Sequence, residues 1–149
     1  MAKDLIKKNY NFTVGRRKEA VARVRLYTEF KENLVFEKEA VKKGDIFVNG
    51  KRIEDYFKGN VAKETYEEPF RITNTLGKYT FTVKVDGGGQ KSQLHAFIHA
   101  VSRALSALDD KNKQILKKKG FLTRDARVRE RRKVAMGGKA RRKKQSPKR

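Results

Sequence analysis

The residues best suited to chemistry lie at the end of the chain. From Lys117 to Arg149 there are 16 Lys or Arg against two acids, Asp125 and Glu130. Arg124, Arg127, Arg129, Arg131, Arg132 and Lys133 form one run. Gly137-Gly138 allows a bend, and Lys139, Arg141, Arg142, Lys143 and Lys144 form a second run before the closing Lys148-Arg149. The planar guanidinium fork suits bidentate phosphate contact and stacking on bases. Like charges at this density repel one another and keep a segment extended until a polyanion neutralises them. The chemistry indicated is phosphate binding. Interspersed Thr123, Asp125, Ala126, Val134 and Met136 distinguish this text from a lysine-rich solubility tail.

A second basic group stands near the other end. Gly15-Arg16-Arg17-Lys18 precedes a stretch that alternates, with Ala20, Ala22, Val24 and Leu26 on one side and Val21, Arg23, Arg25 and Tyr27 on the other. Period two means a strand with one buried face and one partly basic face. Asp86-Gly87-Gly88-Gly89, followed by Gln90, joins a strand to a helix. Free N–H groups and the helix dipole would let this loop cradle an RNA phosphate. The same glycines equally serve to turn the strand sharply and bring the helix close to the sheet. Neither a Walker loop nor a dinucleotide fingerprint is present.

Catalytic groupings are not apparent. His95 and His99 stand four apart, a spacing used by metal sites. No cysteine exists and no acid accompanies them on that helix, so they read as helix-surface or half-buried histidines and no metal is expected. Glu67-Glu68 and Asp109-Asp110 are adjacent pairs, and neighbours on a helix do not face each other. The chain is not expected to be an enzyme or to need a cofactor.

Two parts are needed to position these groups. Residues 1–119 read as a globular α+β domain and residues 120–149 as an extended basic tail. The tail region holds only Phe121, Leu122, Val128, Val134 and Met136 as large apolar residues. Over the whole chain of 149 residues the hydrophobic share is 37% and the charged share 38%, with net charge +22. The pI is near 10.4. This asymmetry favours nucleic acid over an anionic membrane, which would need an amphipathic helix with bulky apolar anchors. The absence of cysteine suits a reducing compartment, and the first residues, MAKDLIKKNYNF, resemble neither a secretory signal nor a transit peptide.

Within the domain, Thr28 to Lys43 reads as an irregular or hairpin-like excursion with four glutamates. Ile46-Phe47-Val48 is a short strand ending in an Asn49-Gly50 tight turn. Ile53, Tyr56 and Phe57 make one helical stripe, and a helix over Val61–Glu68 is expected to end before Pro69. Tyr79, Phe81, Val83 and Val85 face one way along the clearest strand, with Thr80, Thr82 and Lys84 opposite. Leu94, Phe97, Ile98, Val101, Leu105 and Leu108 repeat at helical spacing, with His95, Ser102, Arg103 and Ser106 on the opposite surface. Asp109-Asp110 ends that helix and caps a short one that Gly120 stops.

Several of these stretches together resemble the family of ribosomal protein S nine of the small subunit. GGGQKSQLHAFIHAVSRAL at Gly87–Leu105 is similar to its signature, with Ser92-Gln93, Ala96, Ala100, Arg103 and Ala104-Leu105 in matching places. GRRKEAVARV at Gly15–Val24, IFVNGKRIEDYF at Ile46–Phe57, GFLTRDARVRERRK at Gly120–Lys133 and KARR at Lys139–Arg142 also agree, in the family's order.

The resemblance implies a mixed sheet covered by helices, like the second domain of ribosomal protein S five, with a left-handed β-α-β crossover. It implies a cytoplasmic place in the head of the small ribosomal subunit, among neighbouring ribosomal proteins and bound to ribosomal RNA. It further implies a tail that reaches peptidyl-site tRNA through Lys148 and Arg149. The ribosomal RNA ligands would be Arg16, Arg17, Lys18, Arg23, Arg25, Gly87–Gln90, Arg103 and the tail cations from Arg124 to Lys144. The ending departs from the family's usual aromatic-Ser-Lys-Arg: here it reads Gln145-Ser146-Pro147-Lys148-Arg149. Two other roles fit the charge: the basic subunit of an RNA-processing ribonucleoprotein, and an architectural DNA-binding protein.

Overall fold

The computed structural model describes residues 10–28, 35–36, 39–40 and 42–131. A five-stranded sheet runs in the order β1-β2-β7-β5-β6. Its strands are β1 (Tyr10–Arg17), β2 (Ala20–Tyr27), β5 (Ile46–Val48), β6 (Lys51–Arg52) and β7 (Thr80–Asp86), while β3 (Val35–Phe36) and β4 (Glu39–Ala40) pair separately as a two-stranded hairpin. The sheet is mixed: β2 is antiparallel to both β1 and β7, and β5 lies parallel to β7. The link from β5 to β7 carries α1 (Ile53–Tyr56) and α2 (Asn60–Ile72). After β7 come α3 (Gln90–Leu108) and α4 (Asp110–Lys118).

The core follows from the alternation. Ala20, Ala22, Val24 and Leu26 are all fully buried. They share a face with Phe81, Val83 and Val85 through the β2–β7 register. Phe97, Val101 and Leu105 of α3 lie over that face and are fully buried too. Burying each such side chain is worth about 1.5–3 kcal/mol. Thr80 and Thr82 are buried as well: Thr80 accepts from the Gly44 amide at 3.2 Å and Thr82 donates to the Tyr27 hydroxyl at 3.5 Å.

Small residues let α3 approach the outer strand. Gly15 of β1 lies under Ala96 and Ala100, and a methyl group there would run into the Ala96 carbonyl. The Thr13 hydroxyl donates to the Ala100 carbonyl at 2.8 Å. Gly15, which reads in sequence as part of a basic cluster, thus sets the spacing between helix and sheet.

Two sequence expectations fail. Pro69 does not end α2, which continues to Ile72. A proline inside a helix costs about 3 kcal/mol, but Tyr66, Pro69 and Phe70 are all buried here. Phe70 also packs edge-on against Phe81 at 5.4 Å, so tertiary packing overrides the local signal. Ser102 is not on the outer surface of α3. It is fully buried and donates to the Ile98 carbonyl at 2.8 Å, which satisfies its hydroxyl.

The helix ends are as expected. The Asp109 carboxylate accepts from the Lys111 amide at 3.0 Å and so caps α4, an arrangement worth about 1 kcal/mol. At the other end Gly120 takes φ 80°. The Gly120 and Phe121 amides donate to Lys117 and Leu116 carbonyls, closing the helix in a Schellman motif. Phe121 and Leu122 then pack on the core as partly buried residues.

Candidate nucleic-acid interface

Alternation along the strands sorts the basic residues onto faces. The residues of β2 that point away from α3 include Arg23 and Arg25, and the register puts Lys84 of β7 beside Arg23 and Phe12 of β1 beside Arg25. Arg16 has the same parity on β1. Arg16, Arg23, Arg25 and Lys84 are all exposed. Aromatic rings lie among them: Phe12 is 54% exposed, Tyr10 and Tyr27 pack 5.7 Å apart, and the Arg25 guanidinium sits 5.3 Å over the Tyr10 ring. Arg23 also pairs with Asp86 at 2.5 Å, with both side chains about half exposed, so it is worth little as a fixed ion pair. Cations spaced between exposed rings can neutralise phosphates and stack bases together.

Other sequence-derived candidates occupy different settings. Lys18 is at the tip of the β1–β2 hairpin with φ 51°. Gly87 and Gly88 take φ 73° and 61°, and a methyl group on Gly87 would sit 2.5 Å from the Glu19 carbonyl oxygen. These glycines therefore let the chain turn tightly against the β1–β2 hairpin. Gly89 is the cap residue of α3, with no side-chain hydrogen bond, and Gln90 begins the helix. Gln93 holds the loop by donating to the Gly87 carbonyl at 3.0 Å.

Arg17 and Arg103 are used within the molecule. Arg103 of α3 donates to the Val14 carbonyl at 2.6 Å, on the outer edge of β1. Arg17 is only 15% exposed and pairs with Asp125 at 2.9 Å. It also donates to the Arg127 carbonyl at 2.8 Å. Asp125 is clasped as well by Arg127, whose guanidinium lies 2.7 Å away. Hydrogen bonds from the Arg127 side chain and amide, with the nearby Arg17 charge, hold the Asp125 carboxyl far below the usual carboxylate range. The root of the basic segment is thus tied to β1, which no pattern in the sequence foretells.

Beside this tie is a hollow of about 350 Å3 lined by Arg16, Arg17, His95, His99, Phe121 and Arg127, among others. Among the described residues the buried His99 Nδ1 has no hydrogen-bond partner. Burial, with Arg103 and Arg124 nearby, lowers the His99 pKa, and the Leu122 carbonyl opposes that shift. Among the described residues there is no group of three or more His, Cys, Asp or Glu able to hold a metal. Arg124, Arg129 and Arg131 are exposed. Arg132, Lys133, Lys139, Arg141, Arg142, Lys143, Lys144, Lys148 and Arg149 lie outside the described residues.

The family described as "Ribosomal protein S9/S16" matches residues 15–149. The chain belongs to that family. A curated relative from Maridesulfovibrio salexigens, "Small ribosomal subunit protein uS9", is 43% identical over 131 residues, covering 88% of this chain and 91% of its own. Another of the same description from Anaeromyxobacter sp. (strain K) is 41% identical over 128 residues, covering 86% and 88%. The family is a structural, non-enzymatic one.

Lys84, Tyr10, Phe12 and Tyr27 share the candidate face with the arginines but are not among the site residues that reading the sequence singled out. Lys84 was legible as the outward member of an alternating strand. What the sequence lacked was the pairing that sets it beside Arg23. No helix among the described residues is long and apolar enough to cross a membrane.

Proposed function

We propose that this chain is a structural constituent of the head of the small ribosomal subunit in the cytoplasmic ribosome. It binds ribosomal RNA through the outward sheet face and the basic segment, beside other ribosomal proteins. The reading rests on one observation above the others: Arg16, Arg23, Arg25 and Lys84 share one face with three aromatic rings, in a chain of the S9/S16 family. Lys18, the Gly87–Gln90 loop and Arg124, Arg127, Arg129 and Arg131 extend the contact surface. Arg17 and Arg103 serve it by fixing β1 and the root of the tail. The finer parts of the reading are that residues 1–119 form the body, that the β5–β7 crossover is left-handed as in the second domain of ribosomal protein S five, and that residues 120–149 run out through RNA. In that reading Lys148 and Arg149 meet peptidyl-site tRNA.

Neither an RNA-processing subunit nor an architectural DNA binder finds support in the relatives, which are described as small-subunit proteins. The test is sucrose-gradient fractionation of cells expressing tagged full-length protein and a version ending at Lys144. Full-length protein should co-sediment with small subunits through a high-salt wash. The truncated form should assemble normally but weaken peptidyl-site tRNA binding. Full-length protein at the top of the gradient, or tracking with DNA, would overturn the assignment.

A further inference from the structure

The outward face of the β1–β2 ladder sorts its side chains by kind as well as by charge. Its rungs pair Tyr10 with Tyr27, Phe12 with Arg25, Val14 with Arg23 and Arg16 with Val21. Lys84 of β7 continues the row from Arg23. Tyr10, Phe12 and Val14 therefore make an apolar stripe along the outer strand, and Arg25, Arg23 and Lys84 make a cationic stripe beside it. Directly opposed side chains on such a face stand about 5 Å apart, and successive ones along a strand about 7 Å.

The rings differ in what they can still bind. Tyr10 and Tyr27 are half-buried and pack on each other, with the Arg25 guanidinium over Tyr10. Phe12 is 54% exposed, and its ring has no aromatic or cationic contact among the described residues. The cations are nearly as free. Arg23 has an exposed pair with Asp86, while Arg25 and Lys84 have no ion pair among the described residues. The contact with Tyr10 holds Arg25 beside the open ring instead of leaving it to roam in solvent.

We propose that this face takes an unpaired nucleotide of ribosomal RNA, with its base stacked on Phe12 and the flanking phosphates against Arg25, Arg23 and Lys84. A single strand carries bases along one side and phosphates along the other, which is the order of the two stripes. Duplex RNA is the wrong form. Its base faces are closed within the stack, so a flat surface meets sugars, phosphates and groove edges. That would satisfy the cations but press Phe12 and Val14 against polar groups. The inference rests on the RNA-binding reading above and adds to it the form of RNA that the sheet selects, with Phe12 as the selecting residue.

Two measurements on the full-length chain test it. With Phe12 replaced by a photoreactive phenylalanine analogue, the chain assembled into small subunits should join unpaired nucleotides of ribosomal RNA on illumination. In filter binding to small-subunit ribosomal RNA, Phe12→Leu should lower affinity at least about fivefold, the lower end of what one stacked base is worth. The slope against salt should stay unchanged, because no charge is removed, and Phe12→Tyr should restore the affinity by restoring a ring. Crosslinks to paired nucleotides or to protein, an absent crosslink, or natural affinity in Phe12→Leu each overturn the inference. The function then stands if Arg25→Ala and Lys84→Ala still flatten the salt slope. If they do not, the sheet face is not an RNA face and both readings fall.

Discussion

Gly15 of β1 lies so close to Ala100 of α3 that a methyl group on it would sit 2.5 Å from the Ala100 amide nitrogen. Helix and strand touch there through backbone, so neither can yield without moving the other. We expect Gly15→Ala to destabilise the fold by about 1–3 kcal/mol, the usual cost of overpacking. Chemical denaturation of the two proteins measures it. Equal midpoints would mean that α3 shifts freely over β1.

The outward sheet face predicts a salt signature. Removing one cation that touches a phosphate should flatten the slope of log affinity against log salt by about 0.7–0.9. Arg25→Ala and Lys84→Ala should each do so in filter binding to small-subunit ribosomal RNA. Arg103→Ala should leave the slope nearly unchanged and lower thermal stability instead, because its guanidinium is engaged by the Val14 carbonyl.

Asp125 should hold the tail root down across the ordinary pH range. Its carboxyl titrates below the usual carboxylate range in the folded state. The tie is therefore present above the unfolded value of about 3.9 and is lost only as pH falls through the lower folded value. Hydrogen exchange at the Arg127 amide, which donates to Asp125 Oδ1 at 3.0 Å, reports it. Exchange corrected for intrinsic rates should stay flat from pH 7 to pH 5, and Asp125→Asn should speed it several-fold.

His99 gives the opposite dependence on mild acid. Its folded pKa is lowered, so the unfolded chain binds the proton more readily. Stability should be undiminished above the unfolded value of about 6.5 and fall as pH drops from there towards the folded value. Thermal melts at pH 7.5 and pH 5 should show a larger loss for the natural chain than for His99→Gln. Arg103 and Arg124 lie near His99, and Glu68, Asp125 and His95 line the same hollow. The exposed position of His95 makes it the control, as His95→Gln.

Much of the frame was legible because burial and periodicity coincide. The Ala20–Leu26 alternation and the Phe97–Leu105 stripe became the two halves of one core. Gly87 to Gly89 turned as expected, though the reason visible in the fold is the approach of Gly87 and Gly88 to Glu19 and Ala20. β1 was not legible. An outer strand with Phe12 exposed and Gly15 buried under a helix carries no period-two signal. The Arg17–Asp125 pair was hidden by a sequence separation of 108 residues, and Pro69 misled because local propensity knows nothing of Phe81.

The outer strand has one more consequence, which concerns timing. β1 is synthesised well before the residues that fasten it. Thr13 waits for Ala100, 87 residues on, and Arg17 for Arg127, 110 residues on. The β1–β2 hairpin therefore emerges from a translating ribosome with its helix-facing side bare, and contacts of such long range close slowly. Until α3 has cleared the exit tunnel, that hairpin is an unfinished surface for chaperones to guard, and the last stitch is made only once Arg127 has followed.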